Sequence, residues 1–173
     1  MLCEFILAIG EGEQNLEDAR QGLAEILEYN PATLFNRVNR SGTGKISADE
    51  IIQFCTDNGL ATLETDETQL LIDFFDDGGA GALGFEEFSH ILLPCEDHEL
   101  REAVLSRNSY ESVVKDGEYL NDDVEHSTVK VIDREITLIR TLVKCIRELC
   151  WWNYTELHWF NLIDTEHKNY IDV

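Results

Sequence analysis

Two twelve-residue stretches in the same register restrict what this chain can fold into more than any other feature. Residues 39–50 read NRSGTGKISADE and residues 76–87 read DDGGAGALGFEE, so they begin 37 residues apart. Each has a glycine sixth (Gly44, Gly81), an aliphatic residue eighth (Ile46, Leu83) and a glutamate twelfth (Glu50, Glu87). The flanks repeat as well. Leu34, Phe35 and Val38 before the first stretch match Leu71, Ile72 and Phe75 before the second, and Ile51, Phe54 and Cys55 after the first match Phe88, Ile91 and Leu92. Apolar residues at steps of three and four on both sides of a glycine-turned polar stretch spell helix, turn, helix, twice over. The sixth-position glycines supply the left-handed backbone that a sharp turn needs.

The rest of the chain reads as helix too. The apolar run MLCEFILAIGEGE has no basic flank and is too short to span a bilayer, so it is expected to be a packed helix rather than a leader. Asn15 is placed to cap a second helix over 16–28, with Leu16, Ala19, Leu23, Ile26 and Leu27 on one face. Asn30-Pro31 breaks the chain and opens the next helix. Asn58-Gly59 closes the helix after the first loop, Thr65 with Asp66 and Glu67 opens the following one, and Pro94 stops the last. Residues 95–128 are polar and read as a linker with a short helix around Leu100, Val104 and Leu105. Val129, Ile132, Ile136, Ile139, Val143, Ile146 and Cys150 then alternate steps of three and four, a long amphipathic helix ending at Trp151 and Trp152.

Beyond that helix the loop pattern starts a third time. Trp159, Phe160 and Ile163 hold the three flanking positions, Asp164 is first, Glu166 third, Lys168 fifth, Asn169 sixth and Ile171 eighth, and the sequence stops at Val173, position ten. Asparagine is the usual substitute for glycine in left-handed backbone. The expectation is a longer protein whose fourth unit lies further on.

Composition narrows the function. A net charge of −22 is unsuited to nucleic acid, whose phosphates need lysine and arginine, and suits a cation or basic partners. Two prolines and 43% apolar residues fit an ordinary helical core. Five scattered cysteines, four of them in apolar helical patterns, fit reduced thiols in an intracellular protein.

Loop length, the sixth-position glycine and the flanks together resemble the EF-hand, the helix–loop–helix calcium module of the calmodulin and troponin-C superfamily. That resemblance implies an all-α fold: an EF-hand pair over 30–94, an N-terminal helical segment over 1–29, the linker 95–128, the long helix 129–152 and an incomplete third hand over 153–173. It also implies ligands at loop positions 1, 3, 5, 7, 9 and 12. Loop one offers Asn39, Ser41, Thr43 and Glu50, with a single acid at a ligand position. Loop two offers Asp76 and Glu87 but has Gly78 third and Ala80 fifth. Loop three offers Asp164 and Glu166 but puts Lys168, a like charge for a cation, fifth. Few carboxylates offset poorly the cost of stripping water from a divalent ion. The expectation is therefore no cofactor, with Ca2+ held only at low affinity, and a pair that keeps its packing while its calcium chemistry is degenerate. Ile46 and Leu83 are expected to pair in a short bridge.

The phrases ILLPCEDHELRE and DREITLIR look like a subgroup of EF-hand proteins from ciliary axonemes. That likeness implies protein partners, axonemal or microtubule-associated, and a place in the cytoplasm, cytoskeleton or cilium, with no nucleic acid and no membrane. Ile139, Val143, Ile146, Trp151, Trp152 and Trp159 are the expected partner-binding residues; the seam has to be covered by the helix over 16–28, by residues beyond Val173 or by another protein, and core packing is the alternative for the three tryptophans. Other signals carry less. Gly79 to Gly84 matches G-x-G-x-x-G, but a helix precedes it where a dinucleotide fold has a strand. Gly44-Lys45 lacks the rest of a P-loop, and Cys95-x-x-His98 lacks a second pair for zinc. No nucleophile motif stands out. The expected function is a non-enzymatic structural adaptor. The alternative is a calcium sensor or buffer whose working sites lie beyond Val173.

Overall fold

The computed structural model describes residues 2–60, 63–107 and 120–151. Among these the secondary structure is seven α-helices: α1 (Leu2–Glu25), α2 (Pro31–Val38), α3 (Ala48–Asp57), α4 (Thr65–Phe75), α5 (Phe85–Leu92), α6 (His98–Leu105) and α7 (Asp122–Trp151). None is long and apolar enough to cross a membrane.

Helices α2 and α3 flank the first loop, and α4 and α5 the second. Each start has a local cause. Asn30 caps α2 by accepting from the Thr33 amide at 3.0 Å, with Pro31 in the first turn. Ser47 caps α3, and Glu50 returns a bond to the Ser47 amide at 2.9 Å. The two loops meet at one antiparallel bridge. Ile46 N donates to Leu83 O at 2.8 Å and Leu83 N to Ile46 O at 2.9 Å, as expected from the eighth positions. Both side chains are fully buried. Leu34, Val38, Ile51, Phe54, Leu71, Ile72, Phe88 and Ile91 close the core around them. A buried Leu, Ile or Phe contributes about 1.5–3 kcal/mol, so this packing, together with the bridge, holds the pair of units together.

A hairpin of two long helices lies over the pair. Gly12 meets Leu138, Arg134 donates to the Asn15 carbonyl, and Gly22 lies beside Ser127, so α1 and α7 run antiparallel. Helix α7 also packs on α4 and α5. Val129, Ile132, Ile136 and Ile139 are buried there, so the chain itself covers the N-terminal half of the expected seam.

Three expectations about boundaries change. The break foreseen near Asn15 does not occur, and α1 is one helix from Leu2 to Glu25. A Cβ on Gly12 would come within 2.9 Å of Leu138 Cδ1, so the glycine that weakens the local helix admits the neighbour that packs against it. Helix α1 ends at Glu25 rather than 28, where Arg107 gathers carbonyls of its last turn and of the segment just beyond it. Arg107 donates to Ala24 O at 2.7 Å, Ile26 O at 2.7 Å and Tyr29 O at 2.9 Å. The short helix expected around Leu100, Val104 and Leu105 forms as α6, but the rest of the linker is shorter than expected, because α7 begins at Asp122 instead of 129. Val124 and Thr128 are buried in those added turns, about two of them, and the Thr128 hydroxyl is satisfied by Val124 O at 2.8 Å.

Candidate functional site

The loops turn alike. Gly44 and Gly81 have φ of 78° and 72°, the left-handed region where a side chain would strain the backbone. Around those turns the ligand-position groups behave differently.

In loop one, the groups that could hold an ion bond to the loop itself. Asn39, with its amide oriented to satisfy its neighbours, accepts from Gly44 N at 3.0 Å and donates to Lys45 O at 3.2 Å. Ser41 Oγ and Thr43 Oγ1 share a bond at 3.1 Å, and Thr43 Oγ1 donates to Lys45 O at 3.0 Å. Glu50 spans the loop: Oε1 accepts from Ser41 N at 2.9 Å, and Oε2 from Ser47 N at 2.9 Å and Ser47 Oγ at 3.1 Å. Burial alone would raise the Glu50 carboxyl, but these bonds outweigh it and hold the group below its ordinary range. A cation would have to displace each of them.

Loop two is sparser. Asp76 Oδ2 accepts from Gly81 N at 2.6 Å, and the amide dipoles of Ala80 and Gly81 hold the carboxyl below its usual value. Asp76 Oδ1 is enclosed without a partner. Glu87 Oε2 accepts from Gly84 N at 2.6 Å and serves as the helix cap that Glu50 also provides. Positions 3 and 5 bring no oxygen, so two carboxylates and the backbone carbonyl of Ala82 face a calcium ion that takes six to eight oxygens. The lone Oδ1 fits a cation ligand, but the set as a whole falls short of a tight site. Among the described residues no group of three or more His, Cys, Asp or Glu side chains is arranged to hold a metal.

Asp164, Glu166, Trp152 and Trp159 lie outside the described residues. Trp151 ends α7. Of the remaining residues expected on a partner surface, Ile139 is 5% exposed and sits in the chain's own core, which corrects its expected role. Val143 is half-buried and packs on the same core, while Ile146 is 58% exposed. The seam changes character because the hand-like units lie under only part of the length of α7.

Sequence reading missed a set of buried charges that locks the hairpin onto the two units. Arg37 of α2 donates through Nε to Glu125 of α7 at 2.7 Å, and its guanidinium lies 5.9 Å from the Phe54 ring centre. Arg20 of α1 reaches Ile91 O at the end of α5 at 2.8 Å and Glu135 of α7 at 2.8 Å. Glu17 accepts from the amides of Cys95 and Glu96 at 3.0 Å, and these bonds win over burial to hold its carboxyl low. Burial pushes the Glu135 carboxyl up to about 7 against the pull of Arg20. The only sequence signal for these contacts is a charge falling on an otherwise apolar face, and that does not name the distant partner. The Ser47-x-x-Glu50 capping box, by contrast, is readable locally. Burial and the nearby Asp133 raise the Cys55 thiol to about 12, which leaves it unreactive. Comparison of the chain with protein-family models, with curated proteins and with solved structures returns no match.

Proposed function

We propose that this chain is a non-enzymatic adaptor built on a degenerate EF-hand pair, held in one closed arrangement whether or not calcium is present. One observation carries the reading: loop one is stitched shut by the same groups that would ligate an ion, with Glu50 bonded at once to Ser41 and Ser47. A calcium sensor opens because the bound ion draws on its twelfth-position acid. Here that acid is engaged already, and the face a sensor would open is covered by α7. What remains is a rigid, acidic platform for other proteins. On the resemblance of its connecting phrases to axonemal EF-hand proteins, the partners proposed are proteins of the microtubule apparatus of cilia, and co-sedimentation with axonemes tests that proposal.

Loop two supports a second, narrower reading, because the enclosed Asp76 Oδ1 has no partner. Weak uptake there, with water completing the coordination, is compatible with an unchanged fold. Calcium titration followed by calorimetry and by amide spectra decides between the readings. Spectra in EDTA and in millimolar calcium should nearly superimpose, with any shift confined to the neighbourhood of Gly81. Large shifts at both Gly44 and Gly81 at micromolar calcium would make the chain a sensor.

A further inference from the structure

Helices α1 and α7 continue past the edge of the two units they cover. Ile132, Ile139 and Ile146 follow one another at seven-residue steps, about two turns each, on one face of α7. The first two are buried on the units, whereas Ile146 is 58% exposed. On α1, Ile6 stands eleven residues, about three turns, before Glu17, so both share a face. Glu17 takes the amides of Cys95 and Glu96 just beyond α5, which turns that face toward the second unit. Ile6 itself is 54% exposed. With Gly12 against Leu138 in antiparallel helices, Ile6 comes level with the turn of α7 that carries Val143 and Ile146. The hairpin therefore shows a shallow apolar groove beyond the units, with Ile6 on one wall and Ile146 on the other.

The rim of that groove carries the charge that the chain as a whole lacks. The sequence has 13 Lys and Arg against 35 Asp and Glu. Yet between Ile139 and Glu148, α7 carries Arg140, Lys144 and Arg147 and no acid. Steps of four and three put these cations on one stripe, next to Val143. Arg140 is turned to Glu67 of α4. Lys144 and Arg147 are exposed, and neither has an ion pair among the described residues. Exposed apolar side chains rimmed by two such cations are matched by a segment with apolar residues on one side and acids beside them. An extended polyanion, such as nucleic acid or an anionic membrane, would also meet the acids on the rest of the surface, whereas a short segment stays on the rim.

We propose that the end of the α1–α7 hairpin beyond the units is the docking surface for an acidic amphipathic helix of a partner protein. A helix fits because two antiparallel helices leave a groove along their length into which a third packs its side chains. Its apolar residues cover Ile6, Val143 and Ile146, and its carboxylates face Lys144 and Arg147. The site lies outside the helix–loop–helix pair and uses none of the loop residues. It rests on the adaptor reading, since it names the surface through which the adaptor works and the chemistry of what it holds.

The test uses the full chain and a fluorescent synthetic helix of leucine, alanine and glutamate with the leucines on one face. A scrambled peptide of the same composition, without the apolar face, is its control. The patterned peptide should bind and the scrambled one should not. Ile146→Ser should weaken binding about tenfold or more, because it removes an apolar side chain from the centre of the contact. Lys144→Gln and Arg147→Gln should each weaken it about two- to fivefold. Lys130→Gln, an exposed cation about four turns away on the same helix, should leave it unchanged. If Ile146→Ser lowers the melting temperature, Ile6→Ser and the two Gln variants at the rim still report on the surface. Unchanged binding by Ile146→Ser, equal loss in Lys130→Gln, or equal binding of the scrambled peptide overturns the proposal. So does a chain that ignores the peptide and instead self-associates through Ile146, fills the groove with its own residues beyond Trp151, or binds anionic vesicles through Arg147. Opening of the pair by micromolar calcium would sink the adaptor reading and leave the peptide result standing. A silent peptide with superimposable spectra would sink this surface and leave the adaptor reading, so the two failures are separable.

Discussion

Loop one and loop two trace the same turns and share one bridge, yet their polar atoms do different things. The first loop ties Asn39, Ser41, Thr43 and Glu50 into a closed set of hydrogen bonds, whereas the second leaves Asp76 Oδ1 alone and has glycine and alanine where oxygens would stand. The outer faces divide in the same direction. Unit one sends Arg37 into α7; unit two shows Phe74 to solvent and is fastened to the hairpin from behind, by Arg20 at Ile91 O. The difference teaches that a shared backbone constrains the turn glycines, the bridge and the core, and leaves the loop oxygens and outer positions free to serve other ends.

The sharpest way to break this comparison is to exchange nothing but matched positions. Arg37→Ala should destabilise the chain by about 3–5 kcal/mol, because it leaves Glu125 buried without its cation. Phe74→Ala, at the equivalent place in unit two, should stay within about 0.5 kcal/mol. Urea melts of the two variants check the contrast, and equal losses would mean that unit two's outer face is part of the fold.

The bridge tests what the units share. Ile46→Ala and Leu83→Ala should each cost about 2–5 kcal/mol, and by similar amounts, since both side chains are fully buried at one junction. A loss confined to one of them in urea melts would show that the loops do not carry the junction equally.

How much of this was legible follows from the range of each interaction. Gly44, Gly81, Ile46 and Leu83 are fixed by positions within one loop, and a repeat 37 residues away doubles the signal. The first half of the α7 seam was legible for the same reason. Its polar members were not. Thr128 and Glu135 are buried because Val124 O and Arg20 satisfy them, and the second of these partners is far away in sequence. The helical continuity of α1 was hidden too, because Gly12 reads as a break until Leu138 is known to lie against it.

The pairing of α1 with α7 should depend on pH. Glu135 sits at about 7 in the fold against an ordinary 4.5, with Arg20 drawing it down and Glu13 and burial pushing it up. A carboxyl raised by folding favours its neutral form there. Its contribution is therefore complete below the ordinary value and is lost as pH rises through about 7. Urea midpoints of the native chain should fall relative to Glu135→Gln from about pH 5 to about pH 8. Parallel curves for the two proteins would show that Arg20 keeps Glu135 ionised throughout.

The smallest effects separate the loops themselves. Glu50→Ala removes the reciprocal half of the α3 capping box and the tie to Ser41, while Ser47 remains the cap, a loss of about 1–2 kcal/mol in the absence of calcium. Asp76→Ala in the same buffer should cost less, since that carboxylate gives up the one hydrogen bond from Gly81 where Glu50 gives up three. Because Glu50 is held below its ordinary range, its contribution is complete above that range and fades as pH falls through the folded value. The gap between Glu50→Ala and the native chain should therefore narrow in acid. Urea melts without calcium at neutral and at acidic pH measure both points. If Asp76→Ala proved the costlier change at neutral pH, loop two rather than loop one would be the stitched turn, and the contrast between the units would have to be drawn the other way round.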